Sequence, residues 1–427
     1  MTRDIELELF GWKSSKYRKP LVLKGARQTG KTWLMKEFGK KAYKKTVYIN
    51  FEETPNLQNL FTPNLDTKRI IDVLQIQTNQ SITPGDTLIL FDEIQSVPGG
   101  ITSLKYFYEN APQYHIIAAG SLLGLLFHSQ TSFPVGKVDF LELHPLSFNE
   151  FLLATDNANL LELIKLKAWE KIDVFHDQLI SLVKEYLFIG GMPEVVKVYH
   201  ESRDWNLARS TQINILNSYV SDFSKHAPKE IVPRIQMVWN SIPAQLAKEN
   251  KKFFFTILRE GARAKDFELA IQWLLNCGLL LKSNRVSKPF MPLKAYEELS
   301  VFKLFLVDVG LLSAMSQLRA HTLIEGDSIF TEYKGALTEQ YIMQQLVTKK
   351  ERQIAYWTNE KSTAEVDFVV QSEGEIYPIE VKSGENTRSK SFTFFYNHYK
   401  PAHAIRYSGL RYRKESWLEN YPLYAVI

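Results

Sequence analysis

Residues Gly25–Thr32 read GARQTGKT. The octet follows a short apolar run, Leu21–Leu23, and leads into a helix-like stretch, Trp33–Phe38. Strand, glycine loop and helix start are the context in which G-x-x-x-x-G-K-[ST] is a phosphate site. Gly25 and Gly30 let the backbone fold tightly, so that successive N–H groups turn inward toward an anion. The helix that follows adds free N–H groups and the positive end of its dipole. Lys31 reaches the β- and γ-phosphates, and Thr32 places its hydroxyl on Mg²⁺. The expected nucleotide contacts are therefore Gly25, Gln28, Thr29, Gly30, Lys31, Thr32 and Trp33.

Outward from this loop, residues 1–155 alternate strand and helix signals. Leu21–Leu23, Val47–Phe51, Thr87–Phe91, Tyr114–Ala119 and Val138–Leu143 are short apolar runs, and Thr67–Gln80 has helical periodicity. Apolar runs separated by helices predict a parallel α/β sheet covered on both faces. The third run ends in Asp92 and Glu93. Acids at the C-terminal end of a buried strand lie where an open α/β sheet takes its ligand. Asp92 is the expected holder of Mg²⁺, and Glu93 the general base that polarises the attacking water. Ser121, after the next strand, is placed to sense the γ-phosphate. Lys137 is either a cation that meets phosphate or a solvated surface lysine.

The bulk numbers set limits. A chain of 427 residues suggests about three domains. The net charge of +5 permits nucleic-acid contact without arguing for it. The one cysteine, Cys277, excludes an internal disulfide framework and fits a reducing, cytoplasmic setting. The opening MTRDIELELFGWK lacks the apolar core of a secretory signal, and the longest apolar stretch, His115–Phe127, is too short to span a bilayer. No membrane association is expected.

Residues 156–228 are helical in periodicity, and Gly190-Gly191-Met192-Pro193-Glu194 breaks and restarts the pattern with proline at a helix opening. The segment 229–290 combines an amphipathic helix, Ile231–Asn250, and a second helix, Asp266–Cys277. Two short strands, Leu279–Leu281 and Arg285–Val286, follow as a wing. That is the layout of a winged helix. Arg259, Arg263, Lys265, Lys282, Arg285 and Lys288 around it suit a DNA backbone, and a spacer between domains is the alternative.

In residues 291–427, the helix Lys334–Val347 carries Glu339, and strands are predicted at Ile354–Thr358, Glu365–Gln371 and Ile376–Lys382. A two-residue turn at Glu373-Gly374 makes partner numbers sum to 747. Asp367 then faces Glu380, and Glu365 faces Lys382, all four on one side of the hairpin, with Val366, Phe368 and Val370 on the other. Opposed carboxylates repel, and a divalent cation between them would relieve this. The basic, aromatic-rich stretch beyond, Arg388–Lys414, either tracks a phosphate backbone or is a core helix with a solvated face.

GARQTGKT, LILFDEIQ, AAGS and LELHPLSFNEF together resemble the AAA-type ATPase core of a widespread prokaryotic family that joins this ATPase to a C-terminal module. The GGMPE turn and FKLFLVDVGLL resemble it too. The resemblance implies ATP and Mg²⁺ as cofactors, ATP hydrolysis, and a helical lid over 156–228. Homo-oligomers also follow, since such cores often form rings. The family usually has Gly-Arg where this chain has Gly136-Lys137, and lysine does not reproduce arginine's planar phosphate contact. Slow hydrolysis would follow. EVDFVV and YPIEVKSG resemble the D…E-x-K arrangement of restriction-endonuclease-like folds, which assigns Asp367, Glu380 and Lys382 to a second site, with Glu339 as that fold's extra acid. Two functions are expected from these parts. One is an ATPase coupled to binding or processing DNA or RNA. The other is a slow ATP-gated switch whose inactive nuclease-like domain docks a protein.

Overall fold

The computed structural model describes residues 1–120, 134, 136–248, 251–320, 322, 331–360, 362–384 and 389–426. The chain divides into two compact units, one formed by 2–144 with 276–278, the other by 145–275 with 279–427.

The first unit is built on five strands: β1 Leu21–Lys24, β2 Lys45–Asn50, β3 Thr87–Asp92, β4 His115–Ala119 and β5 Asp139–Glu142. They lie in the order β2-β3-β4-β1-β5, and every neighbouring pair is parallel. Alternate residues feed two cores. Ile89, Phe91, Ile116 and Ala118 pack with Ile70, Leu74, Leu104 and Phe107 on one face. Leu88, Leu90, Ile117 and Ala119 pack with Leu9, Trp12, Leu34 and Phe38 on the other. This two-sided burial is why β1, β3 and β4 read as unbroken apolar runs rather than alternating ones, whereas β2 and β5 alternate.

The second unit begins with helices from Phe148 to His226, among them His176–Ile189, Pro193–Ser202 and Trp205–His226. The Gly190-Gly191 turn docks on a buried aspartate. Asp308 accepts hydrogen bonds from Gly191 N at 2.6 Å, Leu311 N at 3.0 Å and Gln344 Nε2 at 3.0 Å. A Cβ on Gly190, whose φ is +75°, would lie 2.1 Å from Asp308 Oδ1, so glycine is required there.

The rest of this unit carries an eight-stranded mixed sheet. Its strands are β6 Leu280–Val286, β7 Glu297–Leu306, β8 Gln353–Thr358, β9 Glu365–Ser372, β10 Glu375–Val381, β11 Ile405–Ser408, β12 Arg413–Lys414 and β13 Glu419–Pro422. The order is β12-β13-β11-β10-β9-β8-β6-β7. Helices Val232–Leu246 and Ala264–Asn276 are present, but Leu279–Leu281 and Arg285–Val286 are not two wing strands. Leu280-Leu281 and Arg285-Val286 belong to the single strand β6, which pairs antiparallel with β7 and parallel with β8. The intervening Lys282-Ser283-Asn284 does not turn because each of these residues is paired with β7, and Asn284 with β8 as well.

The β9–β10 hairpin keeps the predicted register, from Ser372↔Glu375 to Phe368↔Ile379. The strict alternation of faces is not kept along β9. Its register against β8 shifts between Ala355 and Trp357, and Val366 shares a core cluster with Val369. Phe392 and Phe395, on the helix Lys390–Tyr399, belong to the same cluster, so these aromatics of the basic stretch are core.

Candidate active site

The phosphate loop leaves β1 and closes into the helix Lys31–Ala42, with Gly30 at φ +93° as the residue before it. Gly25 has φ +142°, and a Cβ there would lie 2.2 Å from Leu143 O, so the loop's first corner admits only glycine. Gln28 is also left-handed, at φ +65°, and is exposed. Thr29 is fully buried and its Oγ1 donates to Ala26 O at 2.9 Å, which braces the turn from inside. Trp33 stands 41% exposed on the first helical turn.

Lys31 folds back over the loop and donates to Gly25 O at 2.9 Å and Ala26 O at 2.8 Å. Burial lowers its ammonium to about 8, against the opposing pull of Glu93 and Asp92. These are carbonyls a phosphate oxygen would replace, so the lysine is stored beside its point of use.

Asp92 ends β3, 3% exposed. Thr32 Oγ1 donates to its Oδ2 at 2.6 Å, Tyr48 OH donates to the same oxygen at 3.0 Å, and Glu93 N donates to Oδ1 at 3.2 Å. Two hard oxygen donors, a hydroxyl and a carboxylate, thus meet at the mouth of the loop, a donor set that fits Mg²⁺ shared with phosphates and water. Glu93 is left-handed at φ +50°, which turns its side chain out of the strand's alternation. Gln95 Nε2 donates to Glu93 Oε2 at 2.5 Å.

The loop, Asp92 and Glu93 are therefore brought together as the sequence predicts. Ser121 lies outside the described residues. Lys137 is tied to Glu109 at 2.9 Å, and its ammonium lies 5.4 Å from the Tyr108 ring. Tyr48 and Gln95 were not predicted. Nothing in the local sequence singles them out, because one arrives from the neighbouring strand β2 and the other two residues past the glutamate.

In the second unit, Glu339, Asp367, Glu380 and Lys382 also converge. Glu339 lies on the helix Thr331–Leu346, 6% exposed, and Glu380 on β10, 4% exposed. Asp367 Oδ2 accepts from Val381 N at 2.7 Å. Burial, then Glu339 and Glu380, push the Asp367 carboxyl well above the usual carboxylate range. Lys382 pairs with Glu380 at 2.7 Å, not with Glu365. Glu365 instead binds Lys303 of β7 at 2.5 Å, and Lys303 also lies 3.7 Å from Glu339. Lys251 bonds to Glu339 as well. Burial depresses the Lys303 ammonium, and Glu365 and Glu339 more than offset it, so Lys303 stays charged. Neither Lys251 nor Lys303 was predicted. Lys303 had a signal: it is the one charge inside the apolar run Phe302–Leu306.

Among the basic residues of 229–290, Arg259 lies 4.0 Å from Asp266, Arg285 pairs with Glu298, and Lys282 sits 4.5 Å over the Phe302 ring. Arg263, Lys265 and Lys288 are exposed.

A five-stranded parallel sheet with this loop after β1 and an Asp-Glu pair at the end of β3 defines a P-loop ATPase fold. The comparisons agree. Residues 17–152 match the profile of an AAA domain, so this part of the chain is similar to AAA-type P-loop domains. Residues 180–322 and 334–424 match two domains of unknown function, DUF8612 and DUF4143. Among curated proteins there is no match. Similar solved structures include a Walker-type ATPase of Pyrococcus abyssi, at 14% identity and TM-score 0.47, covering 73% of this chain and 95% of that one. The Orc1 protein of Aeropyrum pernix in complex with DNA is similar at 12% identity and TM-score 0.29, covering 74% and 93%. Cdc6p of Pyrobaculum aerophilum is similar at 12% identity and TM-score 0.25, covering 75% and 92%. Among the described residues, no helix is long and apolar enough to cross a membrane.

Proposed function

We propose that the chain is a cytoplasmic ATPase that hydrolyses ATP with Mg²⁺. The observation that carries this is the 2.6 Å contact between Thr32 Oγ1 and Asp92 Oδ2, with Lys31 and Glu93 beside it. Lys31 and the loop N–H groups hold the phosphates, and Thr32 with Asp92 holds Mg²⁺, which neutralises charge developing on the transferring phosphoryl group. Glu93 accepts the proton of the attacking water. Gln95 Nε2, which donates to Glu93 Oε2, holds this carboxylate in place. We assign 156–228 as the lid that closes, 229–290 as the nucleic-acid contact and 291–427 as the responding module.

The decisive experiment is steady-state hydrolysis with Mg²⁺, with and without DNA or RNA, at low and then higher salt. Coupling to a phosphate backbone predicts stimulation that fades as salt rises. Exposed Arg263, Lys265 and Lys288 are the cations expected to carry it.

One observation favours the second reading, a slow ATP-gated switch. Lys137, the candidate substitute for the family's arginine, is held by Glu109. On this reading turnover is slow and indifferent to nucleic acid, and the C-terminal module docks a protein, another copy of the chain included. The same assay separates the two.

A further inference from the structure

Asp367 lies just beyond the last hairpin pair, Phe368↔Ile379, close enough to feel the Glu380 charge, and a restriction-endonuclease-like reading expects a divalent cation between the two acids. The surroundings do not fit one. Among the described residues, no three His, Cys, Asp or Glu side chains are placed to hold a metal ion. The carboxylates turn to lysines instead: Glu339 to Lys251 and Lys303, Glu365 to Lys303, and Glu380 to Lys382.

We infer that Lys251 and Lys303 are built-in counter-ions that stand in place of the divalent cation, so that the C-terminal module takes up no metal and cuts no phosphodiester bond. Three arguments carry this. Lys303 is fully buried, and its ammonium reaches two acids from a strand paired on one edge to β6, so it cannot swing out to make room. A buried charge is retained only where it is paired and hydrogen-bonded, and here the acids are its partners. A metal needs several oxygens facing one point at about 2.0–2.6 Å. Asp367 spends one oxygen on Val381 N, Glu380 faces Lys382, and Glu339 faces two ammoniums that would repel a dication. The E-x-K lysine of a nuclease can be spared for substrate, but the two additional lysines have no such use. The inference deepens the switch reading. It concerns residues of the second unit, and its failure would be read in metal binding rather than in ATP turnover.

The test is Mn²⁺ binding to the full chain without nucleotide, counted by the loss of the free-ion electron paramagnetic resonance signal. The wild type should show no site attributable to Asp367 up to about 1 mM Mn²⁺, the weak end of ordinary oxygen sites. Lys251→Met, whose side chain is partly exposed, should gain one Mn²⁺, and Asp367→Asn added to it should remove that site. Lys303→Met is the second variant, with thermal melting as the check on folding. A wild-type Mn²⁺ site that survives Asp92→Asn and disappears in Asp367→Asn overturns the inference, whatever the lysine variants do. So does folded Lys251→Met and Lys303→Met protein that gains no site, or metal-dependent DNA cleavage lost in Asp367→Asn.

Discussion

Thr32→Val removes one hydroxyl and leaves the side-chain shape unchanged. In the folded chain Asp92 then keeps two of its three donors, Tyr48 OH at 3.0 Å and Glu93 N at 3.2 Å, and loses the shortest, at 2.6 Å. A hydrogen bond to a charged group contributes about 1.5–3 kcal/mol. For a unit of this size a loss of about 2 kcal/mol lowers Tm by roughly 5 °C. If that bond only supports the fold, the damage ends there. If the same oxygen also holds Mg²⁺, hydrolysis suffers well below Tm. Losing a preorganised group at the phosphoryl centre costs about 100-fold in kcat, or about 2.7 kcal/mol. The assay is kcat against Mg²⁺ concentration for the wild type, Thr32→Val and Thr32→Ser at a temperature where all three are folded. Thr32→Ser should recover most of the rate because it restores the oxygen. A Thr32→Val protein with kcat within about threefold of wild type across the titration would refute the assignment.

Two pH predictions follow from the first unit. The free Lys31 ammonium titrates at about 8, lowered by burial, and only its charged form attracts the triphosphate. The Kd for ATP should therefore be flat at neutral pH and rise through pH 8 and above, and Lys31→Met should remove that rise while weakening binding throughout. An ATP affinity constant from pH 7 to pH 9.5 would count against the buried-lysine account. His115 is lowered to about 4, chiefly by burial, and its Nδ1 lies 2.7 Å from Tyr43 OH. The unfolded chain takes up this proton near pH 6.5 while the fold refuses it. The unfolded state thus binds more protons between about 6.5 and 4, and stability is lost as pH falls through that window. Thermal melts from pH 7 to pH 4.5 should show the decline, and His115→Gln should flatten it. An unchanged slope in that variant would assign the decline to other groups.

How far the sequence carried these sites depends on distance along the chain. The loop Gly25–Thr32 was legible because its glycines, lysine and hydroxyl are consecutive, and the flanking apolar runs fix strand and helix. Asp92 and Glu93 were legible because the end of a buried strand is a defined place in a parallel sheet. The β9–β10 register from Ser372↔Glu375 to Phe368↔Ile379 followed from one turn, since a two-residue hairpin sets the pairs beyond it. What failed was everything set by partners far away. Arg285–Val286 gave no sign of belonging to one strand with Leu280-Leu281, because the partners that hold β6 together come from β7 and β8. The face alternation of β9 broke at a register shift against β8 that no spacing announces. Lys382 was matched to Glu365 by register, yet Glu365 is taken by Lys303, which lies 62 residues earlier in the chain. Lys251 pairs with Glu339, and Lys303 with Glu339 and Glu365, and only the fold brings these lysines to the acids.

The central claim is that Glu93 drives hydrolysis of ATP bound on Gly25–Thr32. Its most direct test is ATP turnover and ATP binding measured side by side for the wild type and Glu93→Gln. Hydrolysis by way of this carboxylate predicts Mg²⁺-dependent turnover in the wild type, a loss of about 100-fold or more in the variant, and a Kd for ATP that barely moves. Turnover that survives Glu93→Gln, or a wild type that binds ATP and never hydrolyses it, would contradict the account.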